Sequence, residues 1–118
     1  MTATRCPFCD IIAGLAPATV VARWPDAIAT VPIDPVTDGH VLVIPRVHVD
    51  DAAEEPMVTA AVMQRAAEYA NALGTPLNLI TSRGREATQS IFHLHIHVVP
   101  RAIDDGLPLP WTVQEVAS

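Results

Sequence analysis

The chain has 118 residues, half of them hydrophobic, and a formal net charge of −6. That length suits one domain with one core, and the apolar share excludes a disordered chain. Every basic residue is an arginine. A net-negative chain of this kind lacks the basic stripe that holds a nucleic-acid backbone, so no nucleic-acid partner is expected.

The opening MTATRCPFCD carries one Arg and no apolar stretch, so it does not read as a secretory signal. No apolar run approaches the roughly 18–20 residues of a membrane span. A cytoplasmic protein with no membrane partner is expected. Cys6 and Cys9 form a Cys-x-x-Cys. In a cytosolic chain this is usually metal-binding or redox-active and seldom a structural disulfide; two small residues packed at the start of a short helix is the simpler alternative.

TVVARW (19–24) and AIATVP (27–32) read as strands around the turn pair Pro25-Asp26. A loop with Pro35, Asp38 and Gly39 leads into the apolar strand HVLVIP (40–45). Acids then precede Pro56, which suits a first helical position. Val58, Val62, Ala66, Tyr69 and Leu73 recur at helical spacing until Gly74 and Pro76 stop them. LNLIT (77–81) is the next strand, SRGREATQS (82–90) a polar loop, and about 91–100 the longest strand. The tail from about Asp104 is irregular. The order predicts a single α+β domain over 1–118: a mainly antiparallel five-stranded sheet, one long helix and a short N-terminal helix.

FHLHIHVVP (92–100) holds three of the five histidines at alternate positions. On a strand His93, His95 and His97 share one face, with about 6–7 Å between neighbours, while Phe92, Leu94, Ile96 and Val98 take the other, which is expected to be buried. Packing alone does not explain three aligned imidazoles, because each needs hydrogen-bond partners if buried. Two chemistries remain at this point. One is a metal site using two or three imidazoles. The other is nucleophilic catalysis at phosphorus by one imidazole assisted by the rest, with the upstream loop offering donors to phosphate oxygens.

QSIFHLHIHVVPR resembles the signature of the histidine-triad (HIT) superfamily. IDPVTDGHVLVIPRVH resembles that family's second block, and CPFCDIIAG the N-terminal Cys-x-x-Cys of its zinc-bearing bacterial branch. The three blocks stand in family order over about residues 6 to 101. The resemblance implies a nucleotide-binding hydrolase or transferase that cleaves at the α-phosphate of a phosphoramidate or dinucleoside polyphosphate, through a nucleotidyl-histidine. His95 is the implied nucleophile. His97 is implied to contact the phosphate and leaving group, and His40 to support the triad. Ser82, Gln89 and Ser90 are implied to line the phosphate region. One structural zinc per chain is implied on Cys6, Cys9, His48 and His93, a closed four-ligand set. A homodimer through the long helix and LNLIT is implied as well.

The chain departs from the family pattern at several positions. Pro32 stands where relatives usually carry the Asp that holds the ribose hydroxyls, and Asp34 lies on the opposite side if the strand persists. Ser82 replaces a common Asn and Thr88 a common Gly. Arg83 and Arg85 flank the loop and offer compensating charge. The rival reading is a non-catalytic, zinc-stabilised nucleotide-binding or interaction module. A zinc on all three triad histidines is a third, and the Cys-x-x-Cys with His48 argues against it. Trp111 in the tail suits a core, an interface or a place near the site.

Overall fold

Two strands bury both of their faces, and they define the middle of the molecule. β2 (Ala27–Thr30) and β3 (Val41–Pro45) are buried at every position. Their alternating side chains divide between two cores, because successive residues of a strand point to opposite sides. Ala27, Ala29, Val41 and Val43 enter one core; Ile28, Leu42 and Ile44 enter the other. The computed structural model describes residues 6–112. The outer limits of the expected domain and the end of its tail lie outside that range.

The sheet is completed by β1 (Val20–Arg23), β4 (Leu77–Ile80) and β5 (Ile96–Pro100), in the order β1-β2-β3-β5-β4, with every pair antiparallel. α2 (Pro56–Leu73) roofs the first core through Val62 and Ala66. It begins with Pro56 in its first turn and ends at Gly74, whose left-handed φ of +66° lets its N–H bond the carbonyl of Ala70. Arg65 ties α2 to the β1–β2 turn through a 2.8 Å bond to Asp26. α1 (Pro7–Ile12) covers the second core with Phe8, Ile11 and Ile12. Among the described residues no helix is long and apolar enough to cross a membrane.

The expected longest strand is cut short. Only Ile96–Pro100 joins the ladder, and residues 91–95 run beside it without strand pairing. The reason lies in where their polar groups go. Leu94 N–H bonds the carbonyl of Val49, outside the sheet. The facing strand ends at Pro45, which has no N–H to give, and its carbonyl accepts from a His93 ring nitrogen. The in-out alternation nevertheless persists. Leu94, Ile96 and Val98 are fully buried in the α2-side core, so the histidines between them turn to the α1 side. Leu94 is the anchor of that arrangement, and its truncation to Ala costs about 2–5 kcal/mol.

Gly39 sets the entry to β3. Its φ is +86°, and a Cβ there would lie 3.2 Å from the Pro100 ring. A side chain would be both strained and crowded, so glycine allows His40 to reach the strand end beside β5.

Candidate active site and metal-ligand cluster

Cys6, Cys9, His48 and His93 converge, with one ligand atom of each lying within 4.8 Å of all the others. α1 brings the two thiols together: Cys6 caps its N-terminus, and the Cys9 N–H bonds Cys6 Sγ at 3.2 Å. His93 Nδ1 lies 3.3 Å from Cys6 Sγ and 3.5 Å from Cys9 Sγ. His48 Nδ1 lies 3.3 Å from Cys9 Sγ and 3.2 Å from His93 Nδ1. A tetrahedron with metal–ligand bonds of about 2.0–2.3 Å has edges of about 3.3–3.8 Å, close to these four separations of 3.2–3.5 Å.

The outer nitrogens support the same reading. His93 Nε2 donates to the carbonyl of Pro45 at 2.9 Å, and His48 Nε2 to Asp50 Oδ1 at 3.0 Å. Each bond fixes a tautomer whose Nδ1 lone pair points into the cluster. Burial and the adjacent Cys6 push the Cys9 thiol up to about 11, since two thiolates side by side lack a counter-charge. Two soft sulfurs and two imidazoles suit a divalent cation such as zinc, and a four-residue set leaves no open position for substrate.

The other histidines form a second group. His95 Nδ1–H donates to the carbonyl of His93 at 2.8 Å, which leaves the lone pair on Nε2. Phe8 packs edge-on against both His93 and His95, at centroid distances of 5.8 and 5.2 Å. His97, on β5, stands opposite Leu42 and Ile80, and its ring lies 5.1 Å from that of His95. His40 Nδ1 accepts the Val36 N–H at 3.1 Å, so its Nε2–H donates to His97 Nδ1 at 3.0 Å. His97 then carries its proton on Nε2. Burial lowers the pKa values of His40 and His95, and burial followed by the two neighbouring imidazoles brings His97 to about 4. Near pH 7 the group is therefore neutral: a free imidazole lone pair beside an imidazole N–H donor.

The loop between β4 and residue 91 is held by Gln89. Its side-chain carbonyl accepts the Gly84 N–H at 2.8 Å, and its amide donates to the carbonyls of Asp50 and Ile91. Gln89 is thus buried and committed to backbone. Ser90 is exposed and, with Arg85 and Phe92, lines a cavity of about 510 Å³ against the metal-ligand cluster. Ser82 and Thr88 line a smaller cavity of about 300 Å³ that contains His40 and His97. Arg85 lies over the Phe92 ring at 5.2 Å, while Arg83 reaches Asp51 at 3.6 Å. Pro32 is half-buried and lines a separate cavity; Asp34 is exposed. Trp111 is exposed too, which answers the core-packing expectation in the negative.

Phe8, Asp50, the Pro45 carbonyl and the tail residues 107–109 belong to these surroundings and were not read from the sequence. Asp50 carried a weak signal, standing two positions after a candidate ligand. The others carried none, because their roles arise from packing across the sheet.

The comparisons with known proteins bear on the family and the fold. The HIT domain family matches residues 13–103. An uncharacterized HIT-like protein of Mycobacterium tuberculosis is 39% identical over 108 residues, spanning 86% of this chain and 75% of the relative. A protein of Arabidopsis thaliana named adenylylsulfatase is 33% identical, spanning 86% of this chain and 55% of the relative. One of Saccharomyces cerevisiae named adenosine monophosphoramidase is 30% identical, spanning 93% and 72%. The crystal structure of a HIT family protein from Bacillus anthracis superposes with a TM-score of 0.83 at 34% identity, covering 95% of this chain and 84% of that one. The chain belongs to the HIT domain family.

Proposed function

We propose that the protein is a nucleotide hydrolase or nucleotidyl transferase that acts at the α-phosphate of a nucleoside phosphate derivative through a nucleotidyl-His95 intermediate. The observation that carries this reading is the His95 ring, whose Nδ1–H is held by the His93 carbonyl so that Nε2 is free to attack. Nε2 forms the bond to phosphorus, and the bond to the leaving group breaks with its electron pair. An amine leaving group takes a proton from solvent. The His97 Nε2–H stabilises charge on a phosphoryl oxygen or on the departing atom, and His40 holds His97 in that tautomer. Water then attacks phosphorus, loses a proton to solvent and releases neutral His95. Ser82 and Ser90 supply donors around the phosphate, and Gln89 shapes the loop that presents them.

Cys6, Cys9, His48 and His93 would hold one structural zinc, which when bound would fix the strand carrying His95. Free thiols at Cys6 and Cys9 suit a reducing, cytoplasmic setting. The open edge of β4, with the exposed Met63 and Leu73 on α2, supports a homodimer through these elements. The apolar cavity at Pro32 favours the second reading, a binding module without turnover.

Incubation with adenosine monophosphoramidate and trapping of the acid-labile adduct tests the proposal. The wild type should turn over and carry the adduct on His95. His95→Ala should lose both, and His97→Ala should mainly slow turnover. An adduct on His97 rejects the assignment; binding without turnover by the wild type supports the module instead.

A further inference from the structure

α1 is a helix of 6 residues, too short to hold its shape alone. Two attachments fasten it to the molecule. Its apolar side chains Phe8, Ile11 and Ile12 lie in the second core. Its two thiols meet imidazoles from elsewhere in the chain, Cys6 Sγ lying 3.3 Å from His93 and Cys9 Sγ 3.3 Å from His48. His48 follows β3, and His93 precedes β5. A closed cluster therefore staples α1 to both segments.

Phe8 stands between the two cysteines in sequence and is 5% exposed. It shares its core with Ile28, Leu42 and Ile44. Its ring meets two imidazoles edge-on: His93 at 5.8 Å with the planes at 85°, and His95 at 5.2 Å with the planes at 77°. His93 belongs to the metal-ligand cluster and His95 to the other group of histidines. Among the described residues, Phe8 is the phenyl ring that touches both groups.

The His95 ring has few other restraints. The His93 carbonyl accepts its Nδ1–H at 2.8 Å, and the His97 ring lies 5.1 Å away at 65°. One hydrogen bond pins one atom of a ring and leaves the rest free to pivot. A pivoting ring breaks that bond part of the time, and Nε2 swings with it. The contacts with Phe8 and His97 restrict the pivot.

We infer that Phe8 is a positioning residue through which the cluster governs the nucleophile. With the cluster closed, α1 presses the Phe8 ring against His95 and holds Nε2 in one orientation. With the cluster open, α1 loosens and the His95 ring turns. This rests on the proposed attack by His95. Phe8 touches that ring and not the reacting bond, so its loss should lower kcat and spare KM.

The test compares zinc-loaded protein with protein stripped by EDTA, as wild type and as Phe8→Leu, using heteronuclear NMR of the histidine rings. In the loaded wild type His95 should show one neutral tautomer, with its proton on Nδ1. Stripping should bring the second tautomer into exchange. Phe8→Leu should do the same while still holding about one equivalent of zinc. On adenosine monophosphoramidate, loaded Phe8→Leu should lose about tenfold in kcat with KM within about twofold, since a misplaced reacting atom costs rate and not binding. Stripping should slow the wild type by a similar factor but the variant by at most about threefold, because the two changes act through one contact. A single His95 tautomer in either the stripped wild type or loaded Phe8→Leu overturns the inference and leaves His95 chemistry intact. So does a raised KM at unchanged kcat in Phe8→Leu, which would put the ring against substrate. Folding is followed by Tm: Phe8→Met replaces a variant that does not fold, and if stripping unfolds the wild type the loaded variant decides. If the wild type turns nothing over, the catalytic reading fails and the NMR comparison alone decides the link. The second tautomer then supports it, and one tautomer throughout overturns it.

Discussion

The Nε2 of His40 lies 3.0 Å from the Nδ1 of His97, a contact between residues 57 positions apart that joins the start of β3 to β5. The single proton between them belongs to His40, because the Val36 N–H occupies its other nitrogen. A second proton would set two N–H groups against each other.

That relationship gives a pH dependence. Burial lowers His40, and burial with the adjacent imidazoles lowers His97 to about 4. An unfolded imidazole titrates near about 6.5. Between those values the unfolded chain binds more protons than the folded one. The stability present above about pH 6.5 should therefore fall as pH drops toward 4. Urea midpoints measured across this range should decline, and His97→Gln should flatten the decline while the other histidines keep their share. An identical slope in the variant would contradict the assignment.

Asp50 should control metal affinity without being a ligand. It fixes the His48 tautomer at 3.0 Å. Removing a partner of this kind typically weakens metal binding by about 10–100-fold, so Asp50→Ala should show that loss in a competition titration with a chromophoric chelator. Protein purified without added metal should carry about one equivalent of zinc, as a closed tetrahedral site implies, and lose thermal stability on chelation. Zinc retained in a Cys6→Ala, Cys9→Ala double variant would show that the cluster is not the site.

Pro32 should blur ribose recognition. The cavity it lines, of about 430 Å³, is walled by aliphatic and proline residues with Thr19 and contains no carboxylate. Adenosine and deoxyadenosine monophosphates should bind within about threefold of each other, and Pro32→Asp should shift the balance to ribose by about tenfold, or about 1.4 kcal/mol. A tenfold ribose preference in the wild type would show that another group reads the hydroxyls.

Thr88 should be a strained position. Its φ is +74°, at the C-terminal cap of the 3₁₀ turn Arg85–Ala87. A left-handed backbone costs a residue with a Cβ about 1–2 kcal/mol, and glycine costs about 0.5–1 kcal/mol in chain entropy. Thr88→Gly should thus raise stability by about 0.5–1 kcal/mol in denaturant titrations. A loss would mean that the Thr88 side chain contributes more than its backbone costs.

Residues whose partners are neighbours in sequence were legible from the chain alone. Pro56 and Gly74 mark the ends of α2 as expected, because helix termini are decided by local backbone chemistry. The alternation gave the buried face correctly at Leu94, Ile96 and Val98, even where the ladder itself stops, because burial enforces a period of two; Phe92, expected on the same face, is instead half-buried beneath Arg85. The extent of β5 was not legible. It depends on Val49 and Pro45, whose carbonyls capture groups from residues 93 and 94.

The site divides the same way. The residue types and spacings of Cys6, Cys9, His93, His95 and His97 suit the proposed metal and phosphorus chemistry, since thiols and imidazoles bind soft divalent cations and a neutral imidazole is a nucleophile near neutral pH. Which nitrogen of each ring is free was decided only by the tertiary structure. His93 is set by the Pro45 carbonyl, His48 by Asp50, and His40 by Val36. Gln89 turned out to be committed to the backbone of its own loop and of Asp50. Leu107, Pro108 and Leu109 line the cavity beside His97, where Arg101 bonds both Asp105 and the Leu107 carbonyl. The sequence by itself determined the chemical inventory, which is a property of side chains. The fold decided tautomers, neighbours and cavity walls, because each depends on a hydrogen bond or contact between parts of the chain that only packing brings together.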